Sequence, residues 1–327
     1  MTSLPVIDFS LMSSSALGDR LAVAGEIRQA CLKNGFFYLR NAGVSPEAMR
    51  DILDAAKMFF ALPVADRQAI SKEQSPAGRG YEIMSGQRLE ATAQPDLKEG
   101  FVMGTDLPET DPRVMAGWPQ HGSNQWPRGM DEWKKRVEAY HAAMTSLARR
   151  IMSALALSLD MPETYFDAAF QDSIATLRLL HYPPQPADAG VDARGAGAHT
   201  DWGAITILLQ DDAGGLQISD DAGGWIDALP IKDSFVINLG DLVPRWTNGL
   251  YRSTRHRVIN RSGRERYAIP FFFDGRGDYI SDCVPTCLKP GEKPLYPPLS
   301  VNDHLAEMFR STREAAAFTD GDSGYAP

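Results

Sequence analysis

Apolar residues along this chain follow two different rhythms. Up to about residue 172 they recur mostly at helix spacing. Leu21, Ala24, Ile27 and Cys31 predict a helix over residues 17–33, closed by Asn34-Gly35 in the manner of a C-cap. Ser45-Pro46-Glu47 offers an N-cap, a first-turn proline and a first-turn acid, so a second helix should run to about Leu62, where Pro63 stops it. The longest stripe is Trp133, Val137, Tyr140, Met144, Leu147, Ile151 and Ala154, stepping by four and three. It predicts a scaffold helix of more than ~20 residues from about Asp131. Short runs at Pro5–Phe9 and Phe36–Leu39, before and after the first helix, read as strands.

After about Ser173 the period shortens. Strand-like runs at 174–182, 203–210, 215–219, 224–227, 234–239, 251–260 and 266–273 alternate with turns, two of them marked by Gly214-Gly215 and Gly223-Gly224. Many short strands without intervening long helices predict a sandwich, jelly roll or barrel, not a doubly wound nucleotide fold. Residues 74–128 show neither period and read as one long irregular loop, a length usually retained for function. A last amphipathic helix fits residues 300–318, with Val301, Leu305, Met308 and Phe309 apolar.

Composition narrows the partners. The chain has 327 residues, a formal net charge of −9 and 43% hydrophobic residues. An acidic chain is a poor match for nucleic acid or an anionic membrane as main partner, although one buried Arg can still hold a small anion. No apolar run approaches the ~20 residues of a membrane span. No basic region followed by an apolar one marks a secretory leader. Three cysteines, Cys31, Cys283 and Cys287, make no disulfide framework, and the last two lack a second Cys/His pair for zinc. A cytoplasmic setting is expected; the oligomeric state is left open.

The candidate chemistry lies among six histidines. His199-Thr200-Asp201 opens a strand-like run, and residues i and i+2 of an extended chain share a face. His256, on another strand-like run, can be folded to the same point. Two His and one carboxylate on one face form the triad of non-haem Fe(II) oxygenases, although zinc would accept such ligands too. Arg266 follows ten residues after His256 on the apolar run Arg266–Phe273. A guanidinium on an apolar strand is expensive unless it meets an anion, and a carboxylate fits its fork.

Together these motifs resemble the isopenicillin N synthase-like family of Fe(II)/2-oxoglutarate-dependent oxygenases. The resemblance covers nearly the whole chain. It rests on Pro5–Phe9, Asn34–Tyr38, Gly78–Glu82, Leu177–Pro183, Ala198–Asp201, Gly214–Gln217, Asn238–Asp241, His256–Val258 and Arg266–Pro270. It implies a mainly β protein with flanking helices: a distorted jelly roll, the double-stranded β-helix, with an α/β N-terminal extension. It also implies Fe(II) on His199, Asp201 and His256, and 2-oxoglutarate on that iron with its far carboxylate on Arg266. Tyr182 matches a position that contacts the co-substrate. The implied reaction couples O2-dependent decarboxylation of 2-oxoglutarate to C–H oxidation of a small organic molecule, by hydroxylation, desaturation or ring formation.

One departure stands out. The family usually has Arg-x-Ser, and here the third residue is Ala268. A lost hydrogen bond to a charged group costs ~1.5–3 kcal/mol, roughly ten- to a hundredfold in affinity. That motivates an alternative, an iron/O2 oxidase of the same fold without 2-oxoglutarate; a non-catalytic binder on this scaffold and a zinc hydrolase are weaker readings. Expected regions are 1–128 (α/β region with a substrate-side loop), 129–172 (scaffold helix), 173–280 (catalytic core) and 281–327 (C-terminal helix as a lid). Candidate substrate contacts are Tyr81, Arg88, Phe101, Arg178 and Phe273. Trp202 is expected to pack away from the metal by strand alternation.

Overall fold

The structure, a computed structural model, describes residues 4–84, 96–184 and 195–320, with side chains to Arg310. Twelve strands build its two main sheets: β1 (Val6–Asp8), β2 (Phe36–Arg40), β3 (Gly80–Glu82), β4 (Glu99–Gly104), β5 (Ile174–Tyr182), β6 (Ala196–His199), β7 (Ile205–Gln210), β8 (Leu216–Ser219), β9 (Trp225–Asp227), β10 (Ser234–Leu239), β11 (His256–Val258) and β12 (Arg266–Gly275). The large sheet runs β1-β2-β10-β7-β12-β5-β4-β3 and the small one β6-β11-β8-β9. From β5 to β12 the chain changes sheet at each step except β8 to β9. That winding is the jelly roll expected from the runs after Ser173.

Two of the four strands in the first third were expected, β1 and β2, and the other two are a correction. Residues 74–128 are not one irregular loop, because β3 and β4 lie within them and extend the large sheet. With β1 and β2 they supply half of its strands, so the large sheet is continuous across the expected boundary at 128.

Four long helices, beside several short ones, flank the sheets: α1 (Leu17–Lys33), α2 (Pro46–Phe60), α3 (Asp131–Ser158) and α4 (Val301–Asp320). Ser45 caps α2 by accepting a hydrogen bond from the Ala48 N–H at 3.1 Å. The seven stripe residues of α3 are all buried. In α1 the buried set is Val23, Ala24, Ile27, Ala30 and Cys31, whereas Leu21 faces solvent, 46% exposed. Its α-carbon is rotated off the stripe that Ala24 and Ile27 define. Among the described residues no helix is long and apolar enough to cross a membrane.

Strand alternation divides the large sheet into two faces. Tyr267, Ile269, Phe271 and Phe273 of β12, with Ile205, Ile207 and Leu209 of β7, join the core beneath the helices. The other face meets the small sheet. Leu180, Tyr182 and Ala268 pack there with Leu216, Ile218 and Val258, and the jelly roll encloses a cavity of about 470 Å³.

Candidate active site

One rung of the large sheet organises this cavity. Gly104, Thr176, Phe272, Thr206, Asn238 and Phe36 are consecutive partners across six strands. Thr206 and Asn238 both donate hydrogen bonds to Asp201 Oδ2, at 2.5 and 2.7 Å. One carboxylate oxygen is thereby occupied and Oδ1 is left toward the histidines. His199 Nε2 and His256 Nε2 each lie 3.7 Å from Asp201 Oδ1. Each imidazole donates through Nδ1 to a carbonyl, of Gly197 at 2.7 Å and of Thr254 at 3.3 Å. Those bonds place the proton on Nδ1 and turn the Nε2 lone pair inward.

The electrostatics agree with this donor set. Burial, with His256 alongside, pushes His199 down to about 3, which keeps the imidazole neutral. Burial alone would raise the Asp201 carboxyl, but the two histidines and its hydrogen bonds hold it low. Two imidazoles and one carboxylate, all ligand atoms within 4.8 Å of one another, are the group of His/Cys/Asp/Glu donors the described residues bring together for a metal. The donors fit Fe(II) and leave half of an octahedron open.

The local route to this arrangement differs from the one expected. His199 ends β6, and Asp201 sits in the loop before β7. The two meet because β6 pairs with β11, setting His199 opposite His256, while Thr206 and Asn238 pull the loop carboxylate across. Trp202 is likewise off any strand. It lines the cavity, edge-on to Phe309 of α4 at 4.9 Å, and does not point away.

Arg266 begins β12 at the cavity wall, only 1% exposed. Its Nε donates to the Gly214 carbonyl at 2.6 Å, and its guanidinium lies 4.7 Å over the Tyr182 ring. Nη1 and Nη2 have no hydrogen-bond partner among the described residues. A buried fork with both amino groups unpaired is a seat for a carboxylate. Ala268, two residues on, has the same facing and is 1% exposed.

The remaining candidates divide. Arg178 lines the cavity and donates to Glu82. Three others are corrected, since they lie off the cavity lining. Tyr81 donates to Glu99 at 2.5 Å, Phe101 packs on Phe59 and Trp133, and Phe273 stacks on Phe170 at 4.6 Å. Arg88 falls outside the described residues. Missed by the sequence reading were Arg79, Lys98, Phe272 and Asp274, all on the cavity lining. The signal for two of them was available: if Arg266 faces the cavity, so do 268, 270, 272 and 274.

Residues 4–129 match the family described as non-haem dioxygenase in morphine synthesis N-terminal, and residues 173–275 match the 2OG-Fe(II) oxygenase superfamily. A 2-oxoglutarate-Fe(II) type oxidoreductase of Emericella nidulans is 41% identical, over 95% of this chain and 90% of that one. The chain belongs to the 2OG-Fe(II) oxygenase superfamily. A 2-oxoglutarate-dependent dioxygenase of Monascus ruber is 40% identical, over 84% of this chain and 86% of that one. The crystal structure of a full-length Neurospora crassa protein in complex with alpha-KG superposes with a TM-score of 0.84 at 28% identity, covering 94% of this chain and 96% of that one. This oxygenase is therefore an Fe(II)/2-oxoglutarate-dependent dioxygenase that uses O2 and acts on a small organic molecule.

Proposed function

We propose that His199, Asp201 and His256 hold the iron, and that Arg266 takes the far carboxylate of 2-oxoglutarate with Tyr182 beneath it. The observation that carries this reading is the unpaired Arg266 fork in the same cavity as three donors whose free atoms converge. When bound, iron and 2-oxoglutarate supply the O2 activation and C–H oxidation of the family. The chain's own work is to place them. Thr206 and Asn238 fix which Asp201 oxygen is free. The Gly197 and Thr254 carbonyls fix both histidine tautomers. Leu180, Leu208, Leu216 and Val258 line the stretch around Ala268 and keep water from it.

The substrate then occupies the far side, bounded by Val102, Phe272, Trp202, Leu305 and Phe309. Arg178 remains a candidate contact there, and α4 contributes to the cover. We place the enzyme in the cytoplasm, with a small molecule and neither nucleic acid nor membrane as its partner.

The test is anaerobic titration of the metal-free protein with Fe(II) and 2-oxoglutarate, followed by O2. One equivalent of each should bind, and succinate should form. His199→Ala and Asp201→Ala should abolish both iron uptake and succinate release. Retention of iron and full activity by either variant would sink the ligand assignment.

A further inference from the structure

Among the described residues the two largest fully buried side chains are both arginines, and both line one cavity. Arg266 is accounted for above. Arg79, 2% exposed, is not. It sits on a bend between Gly78 (φ 65°) and Gly80 (φ 108°), a backbone path that side chains other than glycine resist. Its guanidinium rests over Gly104, where a Cβ would come within 2.2 Å of Nη2, so the seat exists only because residue 104 lacks a side chain.

Its partners in this seat are neutral. Nη2 donates to the Gln120 carbonyl at 2.6 Å, and Nη1 donates to the Thr176 hydroxyl at 3.3 Å. Nε has no hydrogen-bond partner among the described residues, and no described carboxylate forms an ion pair with this side chain. The acids that act on it through space are a poor counter-charge. Asp106 lies on the surface, and burial pushes the Asp274 carboxyl up to about 7. A guanidinium buried without a paired anion is costly, and the open cavity beside it is where an anion can come from.

The rung fixes where that anion would stand. Thr176, which touches Arg79, and Thr206, which touches Asp201, are separated by β12 alone, so they lie about 10 Å apart at ~4.8 Å per strand. Phe272 lies between them on the same cavity wall. Arg266 is elsewhere. It pairs with Tyr182, six residues along β5 from Thr176, or about 20 Å at ~3.3 Å per residue. The cavity therefore has two separate anion seats, Arg79 across the strands from the metal donors and Arg266 displaced along them.

We propose that Arg79 anchors the substrate, and that the substrate is a small carboxylic acid with a single aromatic or alicyclic ring. Its carboxylate meets Arg79, its ring lies against Phe272, and the far edge of that ring reaches the metal donors. A span of about 10 Å suits one ring with its carboxylate. Trp202 and Phe309 supply the apolar rim. This assignment rests on the iron and 2-oxoglutarate reading above.

The experiment uses the enzyme loaded anaerobically with Fe(II) and saturating 2-oxoglutarate, so that Arg266 is already occupied. Benzoate, phenylacetate and cyclohexanecarboxylate are titrated by calorimetry against benzamide, phenylacetamide and cyclohexanecarboxamide. At least one acid should bind tenfold or more tightly than its amide, and Arg79→Gln should erase that difference. Arg79→Lys, which keeps the charge in case the glutamine variant does not fold, should retain a preference for the acid. Equal binding of acids and amides by the wild type overturns the proposal, as does a preference that survives Arg79→Gln. The absorption band of Fe(II) with 2-oxoglutarate is read in the same samples. Its absence sinks the oxygenase reading, whereas its presence with no acid preference sinks this one alone.

Discussion

Two hydrogen bonds to one oxygen decide which atoms of this site are free. Asp201 Oδ2 accepts from both Thr206 and Asn238, which leaves Oδ1 as the ligand atom. Partners of this kind orient metal ligands and typically govern affinity by about 10–100-fold. Asn238→Ala should therefore weaken Fe(II) binding within that range while the fold survives, as measured by anaerobic iron titration beside a thermal melt. Unchanged iron affinity would mean that Thr206 alone holds the carboxylate. Ala268 invites the opposite manipulation. It faces the cavity two residues from the Arg266 fork, where the resembling family usually carries a serine. Ala268→Ser adds one hydroxyl beside a charged carboxylate, an interaction of ~1.5 kcal/mol, so 2-oxoglutarate should bind about tenfold more tightly. A lower KM for 2-oxoglutarate with kcat unchanged is the expected result. No change would place the far carboxylate beyond reach of residue 268.

At the scale of elements, the parity of β12 separates chemistry from packing. Phe272 lines the cavity, and Phe273, 0% exposed, stacks on Phe170 in the core. Phe273→Ala should cost about 3–5 kcal/mol of stability and leave the KM for 2-oxoglutarate alone. Phe272→Ala should cost roughly 1 kcal/mol and act on substrate handling instead. Equal losses in a urea melt would contradict the facing. This parity was legible in the sequence once Arg266 was placed, and choosing Phe273 as a substrate contact was a slip of one residue. The long helices were legible because they carry uninterrupted apolar stripes. So were most of the later strands, which are β-branched or aromatic. Two kinds of element were not. β6 reads Ala-Gly-Ala-His, with no residue that favours a strand, and is held by pairing with β11. β3 and β4 lie in glycine-rich chain and are strands because the edge of β5 accepts them. Their sequence carries little local preference, so tertiary pairing decides. His199 and Asp201 were found together for an imperfect reason: the spacing was right, but a loop and two hydrogen bonds bring them together, not a shared strand face.

At the scale of the whole molecule, an acidic chain encloses a cavity whose wall concentrates buried charge. Arg79, Lys98, Arg266, Glu82, Asp201 and Asp274 are all 7% exposed or less and all line it. Most have a counter-charge or an expected ligand. Asp274 is the exception, and it makes the stability of the metal-free protein depend on pH. Burial, followed by repulsion from Asp201, pushes its carboxyl up to about 7 against Arg79, which pulls it down. Its carboxylate also lies where a side chain on residue 203 would be, with Oδ1 1.6 Å from an added Cβ, so the loop that carries Asp201 is packed directly on it. The unfolded value is 3.8. Between 3.8 and about 7 the folded chain therefore holds a proton that the unfolded chain has released. The stability from that proton is fully present below 3.8 and is lost as pH rises through about 7. Asp274→Asn keeps the shape and removes the titration. With a chelator present, the thermal midpoint of the wild type should fall by a few degrees more than that of the variant between pH 5 and pH 8, on the order expected for a chain of this size. Parallel curves would show that Asp274 does not release a proton between pH 5 and pH 8 in the folded chain, and would overturn the raised value.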